Sequence, residues 1–507
     1  MQKTKPWILL FTLGLPVFAG AAATTPAPQV SRPNIIVMLA DDLGYGDLGC
    51  YGATQIKTPN IDRLAAQGVR LMDAHATAAV CQPSRYAVLS GRYHWRAKNT
   101  GEGFYFQDDE VLMPAVFRDA GYATAALGKW HLGWNLPGKT TNQTWNRPIT
   151  HGPNQAGFQY FFGQANGHEW PPLVWIENNA VYGHDPQDPL VISPVTPAYW
   201  PYAGNKAGSS AGATAAHAAY DVERLDLTLA ERAGKWLEQK PKDQPFLLYM
   251  GMFAPHVPLM PAKEFRGTSQ AGLYGDFVQQ LDTAVGQVLD HLERLGLAEN
   301  TLVILTSDNG GCYIDHAMAA GHRANGPLLG LKTDAWEGGH RVPFIARWPG
   351  RIPAGATSDA LLSLSDIFPT VAAATDLKLP RGAAPDGLNQ LPVLLHPTTP
   401  VPVRTEMIYT SASMPGVPAQ ALRSGDWVYL PAPSSMGRFG TFYMGPLGYT
   451  NSNYSADGKL LPDAPRTQLY NLRTDPAQRV NRVKDFPEIA ARMDAALAEM
   501  LRQRHAR

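Results

Sequence analysis

The chain has 507 residues, long enough to bury a large core and to form two domains or one large α/β domain with an appendage. Lysine plus arginine equals aspartate plus glutamate at 43 each, and no long basic run occurs. That balance removes the electrostatic reason to expect nucleic acid or an acidic membrane surface as a partner, so any anion specificity must be built locally.

In chain order, Lys3 and Lys5 precede an apolar stretch from Trp7 to Phe18 and then Ala19-Gly20-Ala21, the layout of a cleavable secretory signal over residues 1–21. The apolar run is too short to span a bilayer and is broken by Gly14 and Pro16, so cleavage is expected and no membrane anchor. The mature protein is therefore expected to be exported, periplasmic or secreted. Short apolar runs rich in β-branched residues then alternate with helical patterns, which predicts βαβ units around a mostly parallel sheet. The expected strands are residues 34–39, 122–127, 246–252 and 302–305, and the expected helices are 60–67, 115–120, 222–239 and 274–295. Between about Gly133 and His217 the periodicity is lost and aromatic residues, proline and glycine gather, a long irregular stretch of the kind that carries function or disorder. Dense prolines over 377–403 read as a linker. Beyond it, 406–409 and 427–430 read as short strands and 486–502 as an amphipathic closing helix.

Each expected strand runs into polar residues: 34–39 into Asp41 and Asp42, 122–127 into Lys129 and His131, 246–252 into His256, and 302–305 into Asp308 and Asn309. In open α/β sheets the ligand crevice lies outside the carboxyl ends of the strands, so these groups are expected to converge. Asp41, Asp42, Asp308 and Asn309 would supply several hard oxygens at one place, where close carboxylates repel unless protonated or neutralised by a cation. An oxygen-only ligand set favours calcium or magnesium over zinc. Taken one at a time, the same residues beside Gly44 and Gly310 would serve equally well as turn formers.

The pentapeptide Cys81-Gln82-Pro83-Ser84-Arg85 places a thiol one helical turn from a guanidinium, with Pro83 in the first turn. The helix N-terminus it implies favours anions. Three cysteines are an odd number, so at most one disulfide forms and at least one thiol has another fate. Cys81 is the candidate for the unpaired one. Cys50 and Cys312 are open between a disulfide and two small buried hydrophobes.

The run CQPSRYAVLSGR at 81–92 resembles the signature of the type I sulfatases, and GYATAALGKWHLG at 121–133 is similar to that family's second signature. The likeness continues through APHVP at 254–258, SDNGG at 307–311 and GLKTDAWEGGHR at 330–341, and covers nearly the whole mature chain. Residues 423–427 and 469–472 are similar to the small C-terminal subdomain of sulfatases. The resemblance implies a large mixed, mostly parallel sheet flanked by helices, of the alkaline-phosphatase-like superfamily. It places a catalytic domain at 31–400 and an α+β subdomain with a short antiparallel sheet at 401–507.

The same resemblance implies that a maturation enzyme converts Cys81 to formylglycine (3-oxoalanine). Ca2+ would then be held by Asp41, Asp42, Asp308, Asn309 and the oxygen at residue 81. A thiol suits hard-metal chemistry poorly and an aldehyde hydrate removes the conflict: one geminal hydroxyl can attack sulfur in line, and the second, once deprotonated, can expel sulfate. By resemblance Arg85 holds the nucleophile, Lys129 contacts the sulfate and His131 assists removal of the hydroxyl proton. His256 would protonate the leaving oxygen and Lys332 would stabilise its charge, with the division of labour between them open. The implied substrate is a sulfated carbohydrate or an aryl sulfate.

Candidate pocket walls in the aromatic-rich insert are Trp145, His151, His168, Glu169, Trp170 and Trp175, most of them expected to pack in the core. His168 and Trp170, with His340 beside the lysine motif, are the substrate-contact candidates. A phosphate or phosphonate monoester hydrolase of the same superfamily is the alternative, although the extra histidine ligands of two-zinc phosphatases are not found near Asp308. A non-catalytic carbohydrate-binding relative would have lost a nucleophile or metal position, and every matched position is intact.

Overall fold

A strand buried along its whole length needs both faces covered, and β1, Asn34–Asp41, has all eight residues buried. The computed structural model describes residues 1–2, 32–97, 106–134, 148–169, 173–183, 220–398, 402–412, 420–438 and 440–503. β1 lies at the middle of a sheet shared with β2 (Val69–His75), β3 (Ala123–Lys129), β4 (Tyr160–Gln164), β5 (Ile176–Glu177), β6 (Ala180–Val181), β7 (Phe246–Pro255), β8 (Thr301–Ser307), β9 (Phe344–Arg347) and β10 (Ala356–Ser363). The strand order is β10-β2-β9-β8-β1-β7-β3-β4-β5-β6. The block β8-β1-β7-β3-β4 is parallel throughout, while β9 runs antiparallel between β2 and β8.

Alternate residues of β1 face opposite sides of the sheet, and each set meets its own layer. Ile35, Val37 and Leu39 share a core with Val88 and Leu89 of helix α2, Cys81–Ser90, which follows α1, Pro59–Ala66, and with Phe117 of the helix Met113–Asp119. Ile36 and Met38 pack in the opposite core with Leu229 of the helix Leu225–Gln239 and with Leu281 and Val285 of the long helix Gly272–Arg294.

A second, antiparallel sheet has the order β11-β12-β13-β14, from β11 (Glu406–Thr410), β12 (Gln420–Ser424), β13 (Trp427–Leu430) and β14 (Gln468–Asn471). The closing helix Pro487–Arg502 lays Met493 and Leu497 against Ile408, Leu422 and Leu469 of that sheet. The expected fold class, a large mostly parallel sheet with helices and a small antiparallel sheet, is the one observed.

Strands β1, β3 and β8 each run two residues further than their apolar runs, so Asp41, Lys129 and Ser307 lie on the sheet itself. β2 escapes an apolar-run reading because its sequence, VRLMDAH, carries charge. The proline-dense stretch expected as a linker packs instead: Ala384, Val393 and Leu394 are buried and Leu377 and Leu379 lie on the core. Its apolar residues, spaced between the prolines, outweigh the linker-like composition. All three cysteines are free, so no disulfide joins Cys50 and Cys312. The expected signal segment lies almost wholly outside the described residues, among which no helix is long and apolar enough to cross a membrane.

Candidate active site

The parallel register brings the strand ends level. Ala40 pairs with Ser307, and Asp41 pairs with Pro255, so the residues following β8 and β7 emerge beside Asp41 and Asp42. Asp42 adopts a left-handed backbone, φ 63°, as do His131 at 57° and Thr333 at 83°, a conformation rare outside glycine that clusters at functional sites. The turn at Asp42 is fixed across the sheet: its amide donates to Asp308 Oδ1 at 3.2 Å, and Leu43 N donates to Ser307 Oγ at 3.0 Å.

Three carboxylates and three cations meet in this buried space. Lys129 Nζ lies 2.6 Å from Asp41 Oδ2, and Lys332 Nζ lies 2.7 Å from Asp42 Oδ1. Arg85 is fully buried, donates from Nε to Asp308 Oδ2 at 2.9 Å, places Nη2 3.5 Å from Asp41 Oδ1, and donates from Nη1 to the Lys129 carbonyl. Asn309 Nδ2 donates to Asp42 Oδ1 at 2.8 Å. Burial alone would raise Asp41, but Lys129, His256, Arg85 and Lys332 outweigh it and hold its carboxyl well below the usual range. Asp42 is lowered on the same balance, chiefly by Lys332 and His256. Asp308, where burial prevails over Arg85 and the neighbouring Asp41 adds repulsion, is pushed up to about 6.

Cys81 opens α2 with Val80 as its cap residue, one turn before Arg85, as the pentapeptide implies. Ligating atoms of Asp41, Asp42, Cys81 and His256 all lie within 4.8 Å of one another. Burial pushes the Cys81 thiol up to about 12, with Lys129 and Lys332 opposing. The pocket fits a hard cation: Asp41 Oδ1 and Asn309 Oδ1 are buried and accept no hydrogen bond, two oxygens aimed into a cluster of carboxylates.

His256 follows β7, with its Nδ1 2.5 Å from the Val257 carbonyl. A carbonyl only accepts, so Nδ1 carries a proton and Nε2 is the nitrogen free to gain or lose one. Nε2 lies 3.6 Å from Asp42 Oδ2 and 3.8 Å from Glu169 Oε1. His131 stands within electrostatic reach of Lys129, Glu169, Arg85 and Asp41; burial and then Lys129 lower its pKa far below the ordinary histidine value, which keeps the ring neutral.

A model of the sulfatase family matches residues 33–377, and the chain is 34% identical to an N-acetylgalactosamine-6-O-sulfatase of Bacteroides thetaiotaomicron over 95% of this chain and 98% of that one. The chain belongs to the sulfatase family. It is a sulfuric ester hydrolase. Human N-acetylgalactosamine-6-sulfatase is 35% identical over 73% of this chain and 67% of its own length. A solved sulfatase structure from the glycosaminoglycan metabolism of B. thetaiotaomicron superposes with a TM-score of 0.78 at 33% identity, covering 93% of this chain and all of that one.

The structure therefore brings together Asp41, Asp42, Cys81, Arg85, Lys129, His131, His256, Asp308, Asn309 and Lys332. One of the three substrate-contact candidates falls elsewhere. His340 is buried at the end of β2, with its Nδ1 3.0 Å from His75 Nδ1 and its ring stacked on Tyr409 at 3.7 Å. It is drawn there because its carbonyl accepts from Ala76 N, stitching it to β2 instead of the crevice. His168 stays beside the site: it is fully buried, its Nε2 lies 2.8 Å from the Pro258 carbonyl, and it groups with Glu169 and His256 within 4.8 Å. Trp170 and Trp145 lie outside the described residues. Trp175 stacks on Phe162 in the core. Sequence reasoning missed Cys312, whose thiol donates to Asp42 Oδ2 at 3.1 Å; its position four residues after Asp308 was the available signal.

Proposed function

We propose that the chain hydrolyses a sulfate ester of a carbohydrate, with residue 81 acting as formylglycine after oxidation of the cysteine and with Ca2+ held by Asp41, Asp42, Asp308 and Asn309. The observation that carries the reading is the meeting of the Cys81 side chain with Asp41, Asp42 and His256 inside 4.8 Å, at the head of a helix whose sequence resembles the sulfatase signature. The bound cation would offset the three carboxylates and polarise the oxygen at residue 81.

The chain's own groups supply the rest. Lys129 and Lys332 bring positive charge to the two sides of the pocket, where the sulfate oxygens and the bridging oxygen gain charge. Arg85, clamped by Asp308 and Asp41, holds the start of α2 in place. By family resemblance His131 would assist removal of the proton at residue 81, and His256 Nε2 would give one to the departing alcohol. The relatives' names make 6-sulfated N-acetylgalactosamine the first substrate to test. Maturation by a formylglycine-generating enzyme, and export to a periplasmic or extracellular compartment, belong to the same proposal.

The test is sulfate release from defined sulfated monosaccharides by calcium-loaded protein whose residue 81 has been verified as oxidised. Release from the 6-sulfated amino sugar supports the reading. Phosphate release from a phosphate monoester with no sulfate release would replace it by the phosphohydrolase alternative.

A further inference from the structure

A site that binds a sulfate anion has a physical reason to exclude carboxylates that hold no cation, yet Glu169 stands at its edge, 3.8 Å from His256 Nε2. Glu169 is only 9% exposed, and its Oε2 accepts no hydrogen bond. Burial is outweighed by His256, Lys129 and His168, which hold the carboxyl down to about 2, so it is an ionised acceptor whose Oε2 has no donor. It groups with His168 and His256, whereas Asp41, Asp42 and Cys81 group with His256 alone among these three. The fold makes room for it: a Cβ on Gly167 would stand 1.9 Å from Glu169 Oε2, so a larger residue there would push the carboxylate aside.

We propose that Glu169 selects a hydroxylated leaving group, its carboxylate accepting a hydrogen bond from the sugar hydroxyl nearest the sulfated carbon. This rests on the carbohydrate sulfatase reading above and adds the residue that receives the alcohol part of the substrate. The departing oxygen takes its proton from His256 Nε2, and Glu169 Oε1 is 3.8 Å from that nitrogen, so a hydroxyl a few bonds along the same alcohol comes within its reach. A sugar presents such a donor and a simple aryl sulfate presents none. The same negative charge disfavours a second sulfate at that position. On a hexose 6-sulfate the nearest ring hydroxyl is the one on C4.

The experiment compares kcat/KM for N-acetylgalactosamine 6-sulfate, its 4-deoxy analogue and 4-nitrophenyl sulfate, using wild type and Glu169→Ala. In wild type the deoxy analogue should be about 10- to 150-fold poorer than the parent sugar, the range of a hydrogen bond to a charged group. Glu169→Ala should lose a similar factor on the parent, lose much less on 4-nitrophenyl sulfate, and no longer distinguish parent from deoxy analogue. Gly167→Ala, which displaces the carboxylate without removing it, should show the same collapse of discrimination. Equal cleavage of parent and deoxy sugar by wild type overturns the proposal without any variant. So does a Glu169→Ala enzyme that slows on both sugars equally with a shifted pH profile, since that is the behaviour of a group acting only through His256. Cleavage of 4-nitrophenyl sulfate but no sulfated sugar removes the carbohydrate assignment and leaves the sulfatase standing; cleavage of no sulfate ester removes both.

Discussion

Replacing His256 by glutamine should separate two kinds of substrate. Nδ1 is committed to the Val257 carbonyl, and the nearest carboxylate oxygens, at 3.6 and 3.8 Å, lie beyond hydrogen-bond range of Nε2. Among the described residues no carboxylate stands within hydrogen-bond range of Nε2, and its natural partner is the oxygen leaving with the alcohol. General acid catalysis contributes about 10²- to 10⁴-fold, or roughly 3–5 kcal/mol of barrier. Lys332, paired to Asp42 beside the same histidine, remains to stabilise the leaving oxygen, so the loss should fall in the lower part of that range, about 10²- to 10³-fold. That loss applies to a sugar sulfate, whose alkoxide is a poor leaving group. A nitrophenolate departs as a stable anion and needs little protonation, so kcat for 4-nitrophenyl sulfate should fall by less than about tenfold. Steady-state kcat for both esters on the same preparation gives the comparison. Equal losses on the two, or an undiminished rate on the sugar, would refute the assignment of His256 as the acid.

Mass spectrometry of the peptide holding Cys81 should show a residue lighter than cysteine in protein from a host with the maturation enzyme, and Cys81→Ala should abolish sulfate release while the protein stays folded; turnover by that variant would refute the role of residue 81. Arg85→Met should destabilise the fold by about 3–5 kcal/mol in urea denaturation, because it strands the buried Asp308 carboxylate without its guanidinium. Asp334 accepts from Leu331 N and from Tyr443 Oη, and burial pushes its carboxyl from 3.8 up to about 7. Its folded-state value is the higher one, so the folded form keeps the proton longer, and ionisation costs stability progressively as pH rises from about 4 to 7. Asp334→Asn removes that cost: its advantage over wild type should be near zero at pH 4 and grow to at most about 4 kcal/mol above pH 7. A difference that stays constant with pH would contradict this.

The chemistry of the site was legible because a parallel sheet leaves few places for polar residues to go. Strands buried on both faces read as apolar runs, and where a run ends in Asp41, Lys129 or Asp308 the charge must sit at the carboxyl edge. Strand β2, which carries charge, and the proline-dense stretch that packs on the core show where composition misleads, since each is settled by what lies against it.

The sequence by itself determined which residue types arrive at the crevice and in what order, because strand direction and the αβ alternation dictate that much. Only the tertiary structure decided where the loop side chains point. Left-handed turns at Asp42, His131 and Thr333, and contacts between residues hundreds of positions apart, such as Asp42 with Asp308 and His75 with His340, aim each side chain. His340 thus ends in buried support while His168 and Glu169 end beside His256, since a loop residue's direction follows from backbone dihedrals and distant partners that carry no local periodicity.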